Sequence, residues 1–202
     1  PAIAKLFRSL GVQMATMWTY TFNVYSCYQG GSHILNLKTT PKKAASYMIA
    51  GEVFRALPRG FQFELSAETE DSFGDFAFSF DQDISISCVN DTFMHSSEAS
   101  WCPLKLPKTV KRIVGYGNSP FVKYEGSGLY FIKVEEGFVH IELFPHSKFL
   151  RPPWNWYKDG EPVVELDYTF ILPFELKLPG FHPIFFKDKP GHYHFPLVTQ
   201  HV

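Results

Sequence analysis

The chain has 202 residues, of which 45% are hydrophobic and 17% aromatic, ample for a packed core. Its 19 Lys and Arg nearly balance its 20 Asp and Glu, so no long-range field gathers phosphate backbones or anionic lipid, and neither nucleic acid nor a membrane surface is an expected partner. Charged residues or proline interrupt every apolar run well short of the roughly 18 residues needed to cross a bilayer, so a soluble globular protein is expected.

The first element is a helix. Ile3, Leu6, Phe7 and Leu10 recur at i, i+3, i+4 and i+7, which predicts one apolar stripe facing a core, and Gly11 stands where a left-handed residue would end it. Val12 to Tyr20 (VQMATMWTY) carries small or apolar residues on both alternating faces, the pattern of a parallel strand covered on both sides. After a loop rich in Tyr, Gly and Ser, Thr40 and Pro41 supply an N-cap and an N1 proline. Ala50, Val53, Phe54 and Leu57 then form a helical apolar face, and Pro58 with Gly60 ends it. A lone strand between two helices would leave both rows of backbone polar groups unpaired. Its neighbours are therefore expected upstream in a longer polypeptide or in another chain.

From Phe61 the period changes to two. Phe76, Phe78 and Phe80 alternate with Ala77, Ser79 and Asp81; Ile84, Ile86 and Cys88 continue the pattern; Tyr130, Ile132 and Val134 oppose Leu129, Phe131 and Lys133. These spacings predict half-buried antiparallel strands. Turn signals at Asn90-Asp91, Gly115 to Gly117, Gly126 to Gly128, Glu136-Gly137 and Asp159-Gly160 suit an all-β sandwich. The domain boundary is expected near Pro58 to Gly60, giving residues 1–60 and 61–202.

The first 60 residues resemble the last unit of the (β/α)8 barrel in clan A glycoside hydrolases: a seventh helix, an eighth strand ending in an aromatic, a sugar-facing loop and an eighth helix. Trp18, in MATMWTY, carries the likeness, because a tryptophan at the end of strand eight floors the subsite beside the catalytic carboxylates in that clan. Gly30 to Ala50 is also similar to sequences of largely bacterial barrel hydrolases, and a β-sandwich often follows such a barrel. The resemblance implies an α/β unit followed by an all-β domain: a terminal α-β-α unit of a TIM barrel plus an antiparallel β-sandwich. It implies a β-linked poly- or oligosaccharide as ligand and a location outside the cytoplasm, extracellular or periplasmic. Retaining hydrolysis needs two carboxyl groups about 5 to 5.5 Å apart. In clan A they follow strands four and seven, and Val12 to Tyr20 holds no Asp or Glu. The catalytic pair is therefore expected outside this chain, which opens on Pro1 without a basic leader or apolar signal region and is expected to be part of a longer protein.

Trp18 would offer a flat face to a sugar at the carboxyl end of a barrel strand. Tyr20, Asn23, Tyr25, Tyr28, His33 and Asn36 lie on or beside the same loop, with hydroxyl, amide and imidazole groups able to bond sugar hydroxyls; solvated loop residues are the plainer account of each. Trp154, Trp156 and Tyr157 in a proline-rich run could stack on sugar in a free-standing carbohydrate-binding sandwich, or pack onto the domain. A structural module completed by a partner's strands is a third reading. His192 and His194 share a face without a third ligand, so no metal and no cofactor is expected. Cys27, Cys88 and Cys102 form an odd set without CxxC spacing, which leaves open a Cys88–Cys102 bridge or three idle thiols.

Overall fold

The computed structural model describes residues 1–16, 19–20, 34–62, 68–124, 126–136, 138–149, 164–166, 174–179, 184–186 and 193–196. Among them the fold is mostly sheet, with two α-helices, α1 (Ala2–Ser9) and α2 (Pro41–Ala56). The strands are β1 (Thr19–Tyr20), β2 (Ile34–Leu35), β3 (Glu70–Phe73), β4 (Phe76–Ser79), β5 (Ile84–Ser87), β6 (Thr92–His95), β7 (Arg112–Tyr116) and β8 (Val122–Tyr124). There follow β9 (Gly128–Glu135), β10 (Phe138–Pro145), β11 (Ser147–Phe149), β12 (Val164–Leu166), β13 (Phe174–Leu176), β14 (Ile184–Phe186) and β15 (Tyr193–Pro196).

Eight strands form one sheet in the order β15-β10-β9-β7-β6-β5-β4-β3. The sheet is mixed rather than wholly antiparallel, because β6 and β7 run parallel and Thr92 to His95 sit opposite Arg112 to Gly115. The connection between them therefore has to travel the length of both strands, and the turn chemistry of a hairpin cannot make it. A second sheet, β14-β13-β8, has three strands.

Period two sorts the residues of the large sheet into two cores. Ala77, Ile86, Phe93, Ile113, Tyr130 and Ile132 face the three-stranded sheet, where Val122, Tyr124, Leu176 and Leu178 meet them. Phe76, Met94, Val114 and Leu129 face the other way and pack on Ala44, Ala45, Ile49 and Val53 of α2. Both faces being covered, β4 and β5 are buried along their whole length, not half-buried as alternation alone suggests. Ile49 and Val53 are fully buried, and each contributes about 1.5 to 3 kcal/mol by leaving water. Helix α2 thus shares a core with the sheet that follows the expected boundary.

The start of α2 follows the Thr40-Pro41 signal in position, with Pro41 in the first turn. The Thr40 hydroxyl does not cap the helix. It accepts from Asn36 N at 2.9 Å and donates to Asn36 O at 3.1 Å, closing the preceding turn instead.

Helix α1 ends as expected. Gly11 adopts φ +81, and Gly11 N and Val12 N return to Arg8 O (3.1 Å) and Phe7 O (2.9 Å). Its orientation is the reverse of the expected one. Ile3 and Leu10 are 68% and 71% exposed, while Ala4, Lys5 and Arg8 are buried. Polar anchors turn this face inward: Lys5 Nζ lies 2.7 Å from Asp71 Oδ2 and over the Phe73 ring, and Arg8 donates to Leu57 O at 2.8 Å and Val12 O at 3.1 Å. Residues 12–16 are not strand; among the described residues of the expected strand, Thr19 and Tyr20 are, and they pair in parallel with Ile34 and Leu35. The expected lone strand therefore has a partner from its own chain on one side.

Candidate functional site

The expected sugar-facing residues divide into those the structure describes and those it does not. Trp18, Asn23, Tyr25, Tyr28 and His33 lie outside the described residues, as do Trp154, Trp156, Tyr157 and His192. Tyr20 ends β1 and is 60% exposed. Asn36 follows β2 and is fully buried, with Oδ1 accepting from Lys38 N at 2.8 Å and Thr39 N at 3.0 Å. That acceptor holds the turn leading into α2, an Asx-type arrangement in which the side chain imitates a backbone carbonyl. Tyr20 and Asn36 are joined through the β1–β2 pairing, in which Tyr20 lies opposite Leu35.

A cleft of about 630 Å³ opens beside α1, between α2 and the outer part of the large sheet. Its lining includes the rings of Phe7, Tyr47, Phe54, Phe78 and Phe80 and the serines Ser46, Ser79 and Ser85. Phe80 stands edge-on to Phe78 with centroids 5.2 Å apart, and it is 66% exposed. Ser46 Oγ and Ser85 Oγ are 3.3 Å apart, a hydroxyl pair bridging helix and sheet. The charges at the mouth are engaged, Lys42 Nζ lying 2.9 Å from Asp83 Oδ2. Aromatic walls over hydroxyls can bind an apolar or amphipathic surface. Among the described residues Asp83 is the one carboxylate on the lining, so these residues place no acid and nucleophile pair there.

A second constellation combines a histidine, a tyrosine and a serine in the inner core. His95 Nδ1 lies 2.6 Å from Ser97 O and Nε2 lies 2.7 Å from the Tyr130 hydroxyl, which donates to Gly117 O at 2.8 Å. In the turn after β7, Ser119 Oγ accepts from Phe121 N and Val122 N. Burial pushes the His95 imidazole down to about 4, against a smaller upward pull from Ser97 O, and pushes the Tyr130 hydroxyl up. His95 and Tyr130 have no exposed surface, so no substrate reaches them. They form an internal polar lock across β6, β7 and β9. Sequence reasoning missed it because its partners are backbone carbonyls brought together by the parallel β6–β7 pairing. Gly115 was the available signal: it lies inside β7, not in a turn, and a Cβ there would stand 1.9 Å from His95 Nε2.

Among the described residues no three His, Cys, Asp or Glu side chains are placed to hold a metal ion. Of the charged strand residues, Glu135 pairs with Lys133 and Glu142 Oε1 lies 3.2 Å from His140 Nε2. No helix of the described residues is long and apolar enough to cross a membrane. Comparison with protein-family models, curated proteins and solved structures finds no match for the chain.

Proposed function

We propose that the chain is the C-terminal portion of a (β/α)8-barrel glycoside hydrolase acting on a β-linked poly- or oligosaccharide outside the cytoplasm. Residues 1–60 form its terminal helix-strand-helix unit, and the sheets that follow brace the barrel. The observation that carries this reading is the exposure of large apolar side chains along residues 3–20. Ile3, Leu10 and Met14 are 68%, 71% and 73% exposed, and Tyr20 at the end of β1 is 60% exposed. Parallel strands are found covered on both faces, and helices do not leave an apolar stripe in water without a neighbour. Further barrel elements, upstream in the same polypeptide or in another chain, supply that cover.

In this reading Tyr20 offers a ring face to the sugar from the carboxyl end of β1, where barrel enzymes build their sites, and Trp18, which precedes β1 in the sequence, offers another. Asn23, Tyr25, Tyr28 and His33 line the loop that follows, and Asn36 holds that loop's exit. Hydrolysis belongs to two carboxyl groups on other barrel strands, one protonating the leaving oxygen and one attacking the anomeric carbon. The intact mass of the protein from its native source tests the proposal. A polypeptide several hundred residues longer, with further strands upstream, supports it. A native 202-residue species, folded and monomeric, overturns it.

A second reading, a non-catalytic carbohydrate-binding or structural β-sandwich module, draws support from the two sheets that close one core through Tyr130, Val122 and Leu176. As a carbohydrate-binding module it keeps sugar binding when residues 12–20 are deleted; as a structural module it loses association with its partner.

A further inference from the structure

In the sequence His192 and His194 stand without a third metal donor; the fold brings donors to one of them. Strand β15, which carries His194, is the edge of the eight-stranded sheet, beside β10. The two strands run antiparallel, with His194 directly opposite His140. Residues so placed share one face of a sheet, with Cβ atoms about 4.5 to 5.5 Å apart. Glu142 lies two residues beyond His140 on β10 and therefore shares that face, one diagonal step from His194. Val139, Ile141 and Leu143, which alternate with them, pack on the inner core. His140 and Glu142 thus belong to the outer face, where their side chains are 31% and 41% exposed.

The two described side chains already stand at ligand spacing. His140 Nε2 lies 3.2 Å from Glu142 Oε1. Bonds of about 2.0 to 2.2 Å from zinc to nitrogen and oxygen, opened by a tetrahedral angle, set two ligand atoms roughly 3.3 to 3.5 Å apart. A metal ion can therefore enter between them with little movement of either. No third described side chain joins this pair, and β15 brings the third donor through its register. The neighbouring charges permit a cation here. Lys133, opposite His140 on β9, is paired with Glu135, and Arg112, opposite Lys133 on β7, is one strand further away.

We propose that His140, Glu142 and His194 form a binding site for a divalent transition metal of the zinc class, which fastens the edge strand β15 to β10. Two imidazoles and one carboxylate are a donor set that suits zinc, and three protein ligands leave a fourth position to water. Magnesium and calcium, which take six or more oxygens, find one carboxylate in this set. The ion takes the Nε2 lone pair of His140 and an oxygen of Glu142 in place of their mutual contact, and His194 completes the set. An edge strand held on one side by backbone bonds then gains a cross-link to its neighbour. The site does not depend on either reading of the function.

The test is titration of the 202-residue protein, first stripped of metal with a chelator, with zinc chloride at neutral pH by calorimetry and with cobalt chloride by visible absorption. One zinc per chain is expected to bind, and cobalt is expected to give the strong visible bands of a tetrahedral site. Amide exchange in residues 193–196 slows when zinc is added, as fastening a locally opening strand requires. His140→Ala, His194→Ala and Glu142→Gln each weaken zinc binding by roughly tenfold or more, a ligand being worth at least as much as the groups that orient it. Should a variant fail to fold, the ring resonances of His140 and His194 in the unsubstituted protein, shifting together as zinc is added, make the same assignment. No zinc binding at one per chain overturns the proposal. So does binding that survives His140→Ala and Glu142→Gln, as a chelate of His192 with His194 alone would, and so does exchange in β15 that zinc leaves unchanged.

Discussion

His95 Nε2 and the Tyr130 hydroxyl oxygen lie 2.7 Å apart in a fully buried setting where the neutral groups have fewer protons than contacts. Ser97 O, an acceptor only, lies 2.6 Å from Nδ1, so the imidazole carries its proton there and Nε2 is an acceptor. The Tyr130 proton then faces two acceptors, Nε2 and Gly117 O. The arrangement ties the crossover after β6, the turn after β7 and the middle of β9 to one phenol.

Removing that oxygen leaves several groups without their partner at once. Tyr130→Phe keeps the ring in the core and is expected to lower stability by about 1 to 3 kcal/mol, the cost of stranding buried polar groups. Urea unfolding with an unchanged m-value is the measurement; a variant as stable as the parent would show that the network contributes nothing net.

The same histidine makes stability depend on pH. Unfolded, it takes a proton near 6.5; folded, burial holds it down to about 4. A depressed folded value means the unfolded chain binds the proton first as pH falls. The His95 contribution is complete above pH 6.5, is lost between 6.5 and 4, and is level below that, for a total of about 3 kcal/mol. His95→Gln removes this titration, so its stability profile over that window is expected to be flatter than the parent's by that amount. Parallel profiles for the two proteins would show that another group governs the acid limb.

Gly115 is required by the ring beside it. A Cβ at this position would lie 1.9 Å from His95 Nε2, 2.4 Å from Cδ2 and 2.6 Å from Cε1. The ring cannot step aside, because Phe93 and Tyr130 stand against it with centroids 5.5 and 5.7 Å away. Gly115→Ala is expected to cost about 1 to 3 kcal/mol or more. Adding His95→Ala should recover part of that loss, so that the double variant is more stable than the sum of the singles, as contacting residues behave. Additive losses in the denaturation midpoints would place the strain elsewhere.

These two positions show why part of the molecule was legible in the sequence and part was not. Period two sorted Phe76 to Ser79, Ile84 to Ile86 and Leu129 to Lys133 onto the two faces of the sheet, because alternation is a local property of a strand, whereas Phe80 and Asp81, read as part of the same alternation, lie in the turn between β4 and β5. Which layers cover those faces is not local, so the full burial of β4 and β5 under α2 and the three-stranded sheet was out of reach. The Gly115 to Gly117 tract read as a turn because glycine favours turns; only Gly117, at φ +79, is in one. The stripe of α1 was found and its direction inverted, since periodicity identifies an apolar face without naming its neighbour. Of the expected sugar-binding residues, Tyr20 and Asn36 fall among the described ones, and the turn-forming role of Asn36 is the property its residue type advertises most directly.

Arg8 is the joint by which α1 reaches the rest of the fold. Its guanidinium donates to Leu57 O and Val12 O and stands 5.6 Å from the Phe54 ring centroid, and its carbonyl accepts from Gly60 N at 2.8 Å. Arg8→Met keeps the aliphatic stem and removes both donors, with an expected loss of about 1.5 to 3 kcal/mol. Amide exchange of Gly60 should accelerate with it. Loss of stability without faster exchange at Gly60 would mean that α1 stays docked through Lys5 and Asp71 alone.

The exposed stripe of the same helix gives the sharpest check on the hydrolase proposal. Ile3 and Leu10 are in water in the 202-residue chain. Ile3→Asp and Leu10→Asp should therefore change its urea midpoint by no more than about 0.5 kcal/mol equivalent, as surface substitutions do. In a longer barrel protein the same two positions would be covered, and an aspartate there would bury an unpaired charge. The loss in that protein should exceed about 2 kcal/mol and fall chiefly on the barrel. Measuring both variants in both proteins separates the cases. A large loss already present in the 202-residue chain would mean that the chain covers its own stripe, and the principal support for missing barrel neighbours would be gone.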